Sequence, residues 1–403
     1  MNSQQNTAYA PQPAPLTIAE LPGISVAGVA AGIKPSGRPD VALLVTEEIA
    51  SAAAVFTKNA FAAAPVTLSR RHLAESHGRV RAVVVNSGNA NACTGERGAR
   101  HAAMMAERVA QHVGCTPREV IVASTGVIGV ELPIERVLDG IDRAHASLST
   151  GRAASESFLA AMMTTDAFPK AWGERGGPTW GVAGVCKGAG MIEPNMATML
   201  SIVATDLSIS ADVLAAEAAR ALRTSFNAIH VDSHTSTNDM FLLLATERAG
   251  FAPNDWRSAL SRTCDKLAWL IARDGEGATK VCTIRVSGAP SSVLAEEIAR
   301  LIAHSALVRT ALFGNDPNWG RFVSAAGNHP ALPDPSRLVC RLAGVVVFER
   351  GEPTRFDRAA LSQAMRSDDL SLEIELGAGD GHAVVLTSDL GYRYVEVNAE
   401  YTT

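Results

Sequence analysis

The amino-acid sequence predicts a mixed α/β protein, and three observations carry that class. Short β-branched or apolar runs alternate with longer stretches rich in Ala, Leu, Met and Glu through most of the chain. Beyond Pro330 the texture turns strand-rich. No segment recurs at a fixed period, which removes solenoids and propellers.

In chain order, residues 41–45, 80–85 and 120–123 are apolar runs bounded by turn residues and read as strands. Residues 97–113, 211–224, 256–272 and 293–304 place strong helix formers at helical spacing and read as helices. Residues 172–194 are interrupted by Gly and Pro and are expected to form a long irregular stretch between the two halves. After Pro330, residues 339–348, 370–376, 382–387 and 392–397 predict a sheet, with one helix around 358–365. A smaller C-terminal α/β domain is therefore expected from about residue 330 onward. The Gln- and Pro-rich start, residues 1–14, has little to bury and is expected to be a flexible tail; it lacks the basic-then-apolar order of a secretory signal.

With 403 residues, 47% of them hydrophobic and 19% charged, the chain has room for one large or two medium cores. Charged residues interrupt every apolar run before the roughly 18–20 residues that a bilayer span needs, so no membrane association is expected. A net charge of -5 without a basic stripe offers nothing to a phosphate backbone, and nucleic acid is excluded as a partner. The six cysteines are scattered without a close pair, which argues against a metal site and for reduced thiols in a cytoplasmic protein. Neither a metal nor a resident cofactor is expected.

The most unusual local sequence is Lys187-Gly188-Ala189-Gly190-Met191-Ile192-Glu193-Pro194-Asn195-Met196-Ala197-Thr198-Met199-Leu200, glycine-rich at one end and apolar at the other. Thr198 stands at the junction. It lacks the third glycine of a dinucleotide loop and the Gly-Lys-Ser/Thr of a phosphate loop. If the Thr198 hydroxyl attacked the carbonyl of Ala197, an N-to-O acyl shift and hydrolysis would leave Thr198 as a new N-terminus. Its α-amine, with an ordinary pKa of about 7.7–8.0, would then serve as base beside its own hydroxyl. A threonine at a strand start after a flexible loop is also commonplace, and the pattern alone leaves both readings open.

Further motifs accompany it in order: Phe56-Thr57-Lys58-Asn59, Asn86-Ser87-Gly88-Asn89-Ala90-Asn91-Ala92-Cys93-Thr94-Gly95, Ser124-Thr125-Gly126-Val127-Ile128-Gly129, Met163-Thr164-Thr165-Asp166, Asp274-Gly275-Glu276-Gly277-Ala278-Thr279-Lys280 and Asp316-Pro317-Asn318-Trp319-Gly320-Arg321. With these the chain resembles the ornithine acetyltransferase, or glutamate N-acetyltransferase, family over nearly its whole length. The resemblance implies sheets packed face to face and covered by helices. It implies cleavage between Ala197 and Thr198 into an α chain (to residue 197) and a β chain (198–403), assembled as an α2β2 heterotetramer. It implies that Thr198 takes acetyl from N-acetylornithine and passes it to glutamate, in the cyclic pathway of arginine biosynthesis. Acetyl-CoA remains open as an additional acetyl donor.

By the same resemblance Thr125 and Gly126 form the oxyanion hole, and Thr164, Lys187, Thr198, Glu276, Asn398 and Thr403 bind substrate. The chemistry suits amino acids, since a lysine pairs with a carboxylate and Glu276 with an ammonium. Taken singly, Lys187 and Glu276 would read as solvated charges, Thr125-Gly126 as a polar turn, and residues 398–403 as a frayed end. One departure stands out: Ser233 and His234 occupy places where the family usually carries Gly and Asp. His234 is expected to be a tolerated surface variant. Two other classes remain beside the transferase, namely a self-processing aminopeptidase or amidase and an inactive amino-acid-binding protein.

Overall fold

The computed structural model describes residues 9–193 and 199–400. Ala197, Thr198 and Thr403 lie outside the described residues. The chain divides into two compact units, one made of Tyr9–Asn227 with His234–Ile271, the other of Ala228–Ser233 with the chain from Ala272 onward. The second unit begins ahead of the change in texture at Pro330.

In chain order the strands are β1 (Ile24–Val29), β2 (Val41–Phe56), β3 (Arg79–Asn89), β4 (Val120–Val127), β5 (Lys170–Gly176), β6 (Trp180–Lys187), β7 (Leu200–Thr205), β8 (Ile229–His230), β9 (Met240–Ala245), β10 (Val281–Ala289), β11 (Val339–Leu342), β12 (Val345–Glu349), β13 (Glu352–Pro353), β14 (Asp369–Glu375) and β15 (Gly381–Ser388). The helices are α1 (Ala64–Glu75), α2 (Gly95–Val113), α3 (Ile134–Ala146), α4 (Arg152–Met162), α5 (Ala211–Thr224), α6 (Trp256–Arg273), α7 (Ser292–His304), α8 (Ala306–Phe313), α9 (Trp319–Ala326), α10 (Arg358–Ala364) and α11 (Tyr392–Glu400). The class is mixed α/β.

The first unit is built on one sheet in the order β4-β3-β2-β9-β7-β6-β5, with β1 added beside β2. The pairs β3·β4 and β7·β9 are parallel and the others antiparallel. Its strands read as continuous apolar runs because both faces are covered. Val41, Leu43, Ala82, Val84, Val120 and Val122 join a core with Met105 and Val109 of α2 and Ile141 of α3. The alternate residues Ala42, Leu44, Val83, Val85, Ile121 and Ala123 join a separate core with Phe158 and Leu159 of α4. A one-residue slip of register would exchange these two sets, so the double burial fixes where each strand ends. Tyr9, in the stretch expected to be loose, packs against Phe168 and Trp269 at ring distances of 5.2 and 5.8 Å.

The second unit carries the order β13-β12-β11-β14-β10-β15-β8. Cys282, Ile284 and Val286 of β10 and Leu370, Leu372 and Ile374 of β14 pack with Ile298 and Ile302 of α7 and Phe322 of α9, while Arg285 between them is exposed. That is the alternation of a sheet covered on one face.

Three expectations are corrected. Residues 172–187 are not irregular: they form most of the β5–β6 hairpin, and their glycines serve close packing. A Cβ on Gly184 would meet Val203 Cγ2 at 2.8 Å and Leu267 Cδ1 at 2.9 Å. Residues 339–348 are two strands, reversed at Ala343 and Gly344, whose positive φ values of 48° and 80° make a tight hairpin turn. Residues 392–397, predicted as a strand from their Tyr-Arg-Tyr-Val-Glu-Val alternation, lie in α11. Their would-be neighbour β15 already pairs with β10 on one side and β8 on the other, so the segment turns out at Gly391 and continues as a helix with no buried residue. No described helix is long and apolar enough to cross a membrane.

Candidate active site

The sheet order gathers several strand ends. Lys187 is the last residue of β6 and pairs with Leu200, the first of β7; Leu200 pairs in turn with Met240, the first of β9. Residues 188–199 therefore leave and re-enter the sheet at one place. Asn238, just before β9, ties this place to the end of β4, its side-chain amide donating to the carbonyls of Ser124 (2.8 Å) and Ala90 (2.7 Å).

Lys187 is 5% exposed, not the solvated charge its sequence context suggests, and its Nζ donates to Thr125 Oγ1 at 3.1 Å. A hydroxyl that accepts from an ammonium keeps its own hydrogen free for another acceptor, which is what an oxyanion donor needs. Gly126 follows with φ +132°, and a Cβ there would come within 2.3 Å of Gly88 C and 2.5 Å of Asn89 N. Only glycine permits β4 to lie this close to β3.

Asp166 organises the other side. Oδ2 accepts from the Thr164 amide at 2.9 Å, and Oδ1 accepts from Lys170 Nζ at 2.6 Å and from the Gly188 amide at 2.7 Å. Burial alone would push this carboxyl up, but the charges of Lys170 and Lys187 and the hydrogen bonds from Lys170 and Thr164 outweigh it and hold it well below the usual carboxylate range. Lys170 and Asp166 are both fully buried, so Asp166→Ala removes one partner of a buried ion pair and is expected to lower the unfolding free energy by about 3–5 kcal/mol, read by denaturant unfolding. Because the folded-state pKa is depressed, the wild-type advantage over the variant is complete above the ordinary carboxylate pKa of about 4 and shrinks as pH falls below it.

Two further ionisable groups border this region. Lys34 donates from Nζ to the Pro39 carbonyl at 2.7 Å and lies beside Gly88, its Cγ 2.9 Å from where a Cβ would stand. Burial, helped by Lys187, pushes its ammonium down to about 8 against the pull of Asp40 and Asp166. Asp239, 1% exposed, accepts the Met199 amide on Oδ1 at 3.0 Å. Burial pushes its carboxyl well up, and the Met199 hydrogen bond, the Lys187 charge and Ser236 only partly oppose this.

Of the sequence-derived candidates, Thr125, Gly126 and Lys187 come together in the first unit, and Thr164 joins them through Asp166. Glu276 and Asn398 belong to the second unit and meet there, Asn398 Nδ2 donating to Glu276 Oε2 at 2.9 Å. Ser233, where a Gly was expected, has φ +62°, a left-handed conformation that a side chain adopts at a cost; His234 is exposed, as expected. The sequence reading missed Asp166, Lys170, Lys34 and Asp239 as partners. Asp166 closes a quoted motif, and that was its only signal.

Comparison with known proteins identifies the family. The family model described as the ArgJ family matches residues 25–403. A protein of Gloeobacter violaceus named arginine biosynthesis bifunctional protein ArgJ is 42% identical over 395 residues, covering 94% of this chain and 96% of its own. One of the same name from Rhodopirellula baltica is 44% identical over 411 residues, covering 98% and 100%. A crystal structure of the Bacillus halodurans arginine biosynthesis bifunctional protein argJ is 36% identical and covers 51% of this chain and 100% of that one, with a TM-score of 0.48. On the family match and the near-complete coverage of these relatives, the chain belongs to the ArgJ family.

Proposed function

We propose that this protein is an acetyltransferase of arginine biosynthesis that moves an acetyl group from N-acetylornithine to glutamate through an ester on Thr198, after cutting itself between Ala197 and Thr198. The observation that carries the reading is the Lys187–Thr125 contact beside Gly126, at the end of the sheet where Leu200, two residues after Thr198, pairs with Lys187. The names of the relatives support the pathway.

In the first half-reaction the Thr198 hydroxyl adds to the acetyl carbonyl, its proton passing to the freed α-amine. Thr125 and Gly126 donate to the oxyanion that develops, a contribution of about 10²–10³ in rate per donor. The nitrogen of ornithine leaves with that proton. In the second half-reaction the amine of glutamate attacks the ester, and the same donors serve again. Lys187, with Thr164 held by Asp166, supports the substrate carboxylate, and the family resemblance assigns substrate binding also to Glu276, Asn398 and Thr403. The enzyme assembles as an α2β2 heterotetramer in the cytoplasm and needs no cofactor.

Incubating the protein with N-acetylornithine and glutamate, without acetyl-CoA, is expected to yield ornithine and N-acetylglutamate in equal amounts. Loss of N-acetylornithine without N-acetylglutamate would instead mark a hydrolase, and adding acetyl-CoA with glutamate alone tests the additional donor.

A further inference from the structure

We propose that Lys34 binds the side-chain carboxylate of glutamate and so selects the acceptor of the second half-reaction, an assignment that rests on the exchange reaction given above. The residue sits on a loop clamped to the end of β3. Asp40, fully buried, closes that loop: Oδ1 accepts the Ala31 amide at 2.5 Å, and Oδ2 accepts the Ile33 and Lys34 amides at 2.6 and 3.0 Å. The Ser87 amide donates to the Asp40 carbonyl at 2.8 Å, one residue before Gly88. Gly88 pairs with Gly126 across β3 and β4, and the stem of Lys34 lies over it, Cγ 2.9 Å from the place of a Gly88 Cβ. The loop thus carries a lysine to the strand ends that hold Thr125 and Gly126, where Lys187 reaches Thr125 Oγ1 from β6.

The ammonium is brought there without an anion to meet it. Nζ donates to the Pro39 carbonyl at 2.7 Å, and among the described residues it has no other hydrogen-bond acceptor and no carboxylate in ion-pair contact. Asp40, the acid of its own loop, is occupied by three backbone amides instead. Two N–H bonds of a half-buried ammonium are therefore available to a ligand, and burial, with Lys187 acting beside it, has lowered its pKa to about 8. An arriving carboxylate offsets that burial with a charge-assisted hydrogen bond. Closing the turn at residues 34–37 needs no ammonium, because the Gly37 amide already donates to the Lys34 carbonyl at 3.1 Å.

The two substrates differ in the charge that this position can read. Each brings an α-carboxylate, which Lys187 supports, but glutamate alone brings a second carboxylate, at the end of its side chain. Lys170 is committed to Asp166, which leaves Lys34 to take it. A site that places a cation on a substrate carboxylate discriminates against the neutral amide of the same shape, because the amide leaves that cation without its counter-charge.

The test compares glutamate with glutamine as acetyl acceptors for the full-length wild-type, Lys34→Met and Lys34→Arg enzymes, with thermal unfolding as the check on folding. Methionine keeps an unbranched stem over Gly88 and drops the charge. Lys34→Met is expected to lower kcat/KM for glutamate by about 10–10²-fold, through KM, while glutamine stays within about threefold, so that the preference for glutamate collapses. Lys34→Arg is expected to restore part of that preference. An unchanged ratio of glutamate to glutamine in an active Lys34→Met enzyme, including an equal fall for both, overturns the role of Lys34 and leaves the exchange reaction standing. Failure of the wild-type enzyme to form N-acetylglutamate from N-acetylornithine overturns the underlying reading itself. If Lys34→Met does not fold, reductive methylation of the wild-type protein, mapped by mass spectrometry, decides. Glutamate is expected to shield Lys34 and glutamine at the same concentration is not; equal labelling with both contradicts the proposal.

Discussion

Thr198→Ala is expected to leave the chain in one piece and to reduce acetyl transfer to background. Two reactions depend on one oxygen. Without Oγ there is nothing to attack the Ala197 carbonyl, so no new N-terminus appears; without a new N-terminus there is neither nucleophile nor base for the acetyl group. Removing the nucleophile of a covalent mechanism costs about 10⁴–10⁶ in kcat, because what remains is the contribution of oxyanion donors and binding alone. The two readouts are separate: electrophoresis reports the cleavage, and formation of N-acetylglutamate reports the transfer. Thr198→Ser retains a hydroxyl and is expected to keep both activities at a reduced rate. A Thr198→Ala protein that stays whole yet transfers acetyl at the wild-type rate would refute the mechanism.

Gly126→Ala is expected to have the next largest effect. The added methyl would sit 2.3 Å from Gly88 C and 2.5 Å from Asn89 N, and these are backbone atoms that cannot rotate aside. The end of β4 must move away from β3, carrying with it the Thr125 hydroxyl and the Gly126 amide. Loss of one aligned donor lowers kcat by about 10²–10³, and displacement of both is expected to exceed that. Gly129→Ala is the control, since Gly129 also has a positive φ (+81°) but a Cβ there meets nothing within 4 Å. It bears a similar conformational cost without the clash, so its kcat is expected to stay within about tenfold of wild type. Equal kinetics for the two variants would show that backbone strain, rather than placement of the donors, is what the glycine supplies.

The strands nearest the site were legible where local pattern and global packing agree. The runs at 41–45, 80–85 and 120–123 lie within β2, β3 and β4, because an apolar β-branched segment buried on both faces has few other solutions. Pattern failed where the deciding factor lay elsewhere in the fold. The alternation at 392–397 suits a strand, but β15 has both its edges occupied. The glycines between 172 and 187 suggest a loop until the side chains of Val203 and Leu267 are seen pressing on Gly184. At the site, the ordered motifs named Thr125, Gly126, Thr164 and Lys187. Burial of charge stayed hidden, because nothing in the residues around Asp166 or Asp239 reports that both carboxyls are buried, the first beside the charges of Lys170 and Lys187.

The claim on which all of this turns is that acetyl rests on Thr198 between donor and acceptor. Quenching the enzyme in acid during turnover with N-acetylornithine, in the absence of glutamate, and mapping the acetyl group by mass spectrometry tests it directly. The account predicts a single acetyl group on the fragment that begins with Thr198, lost on adding glutamate and replaced by N-acetylglutamate in solution. Turnover by a chain that carries no acetyl group, or that carries it on any other residue, would contradict it.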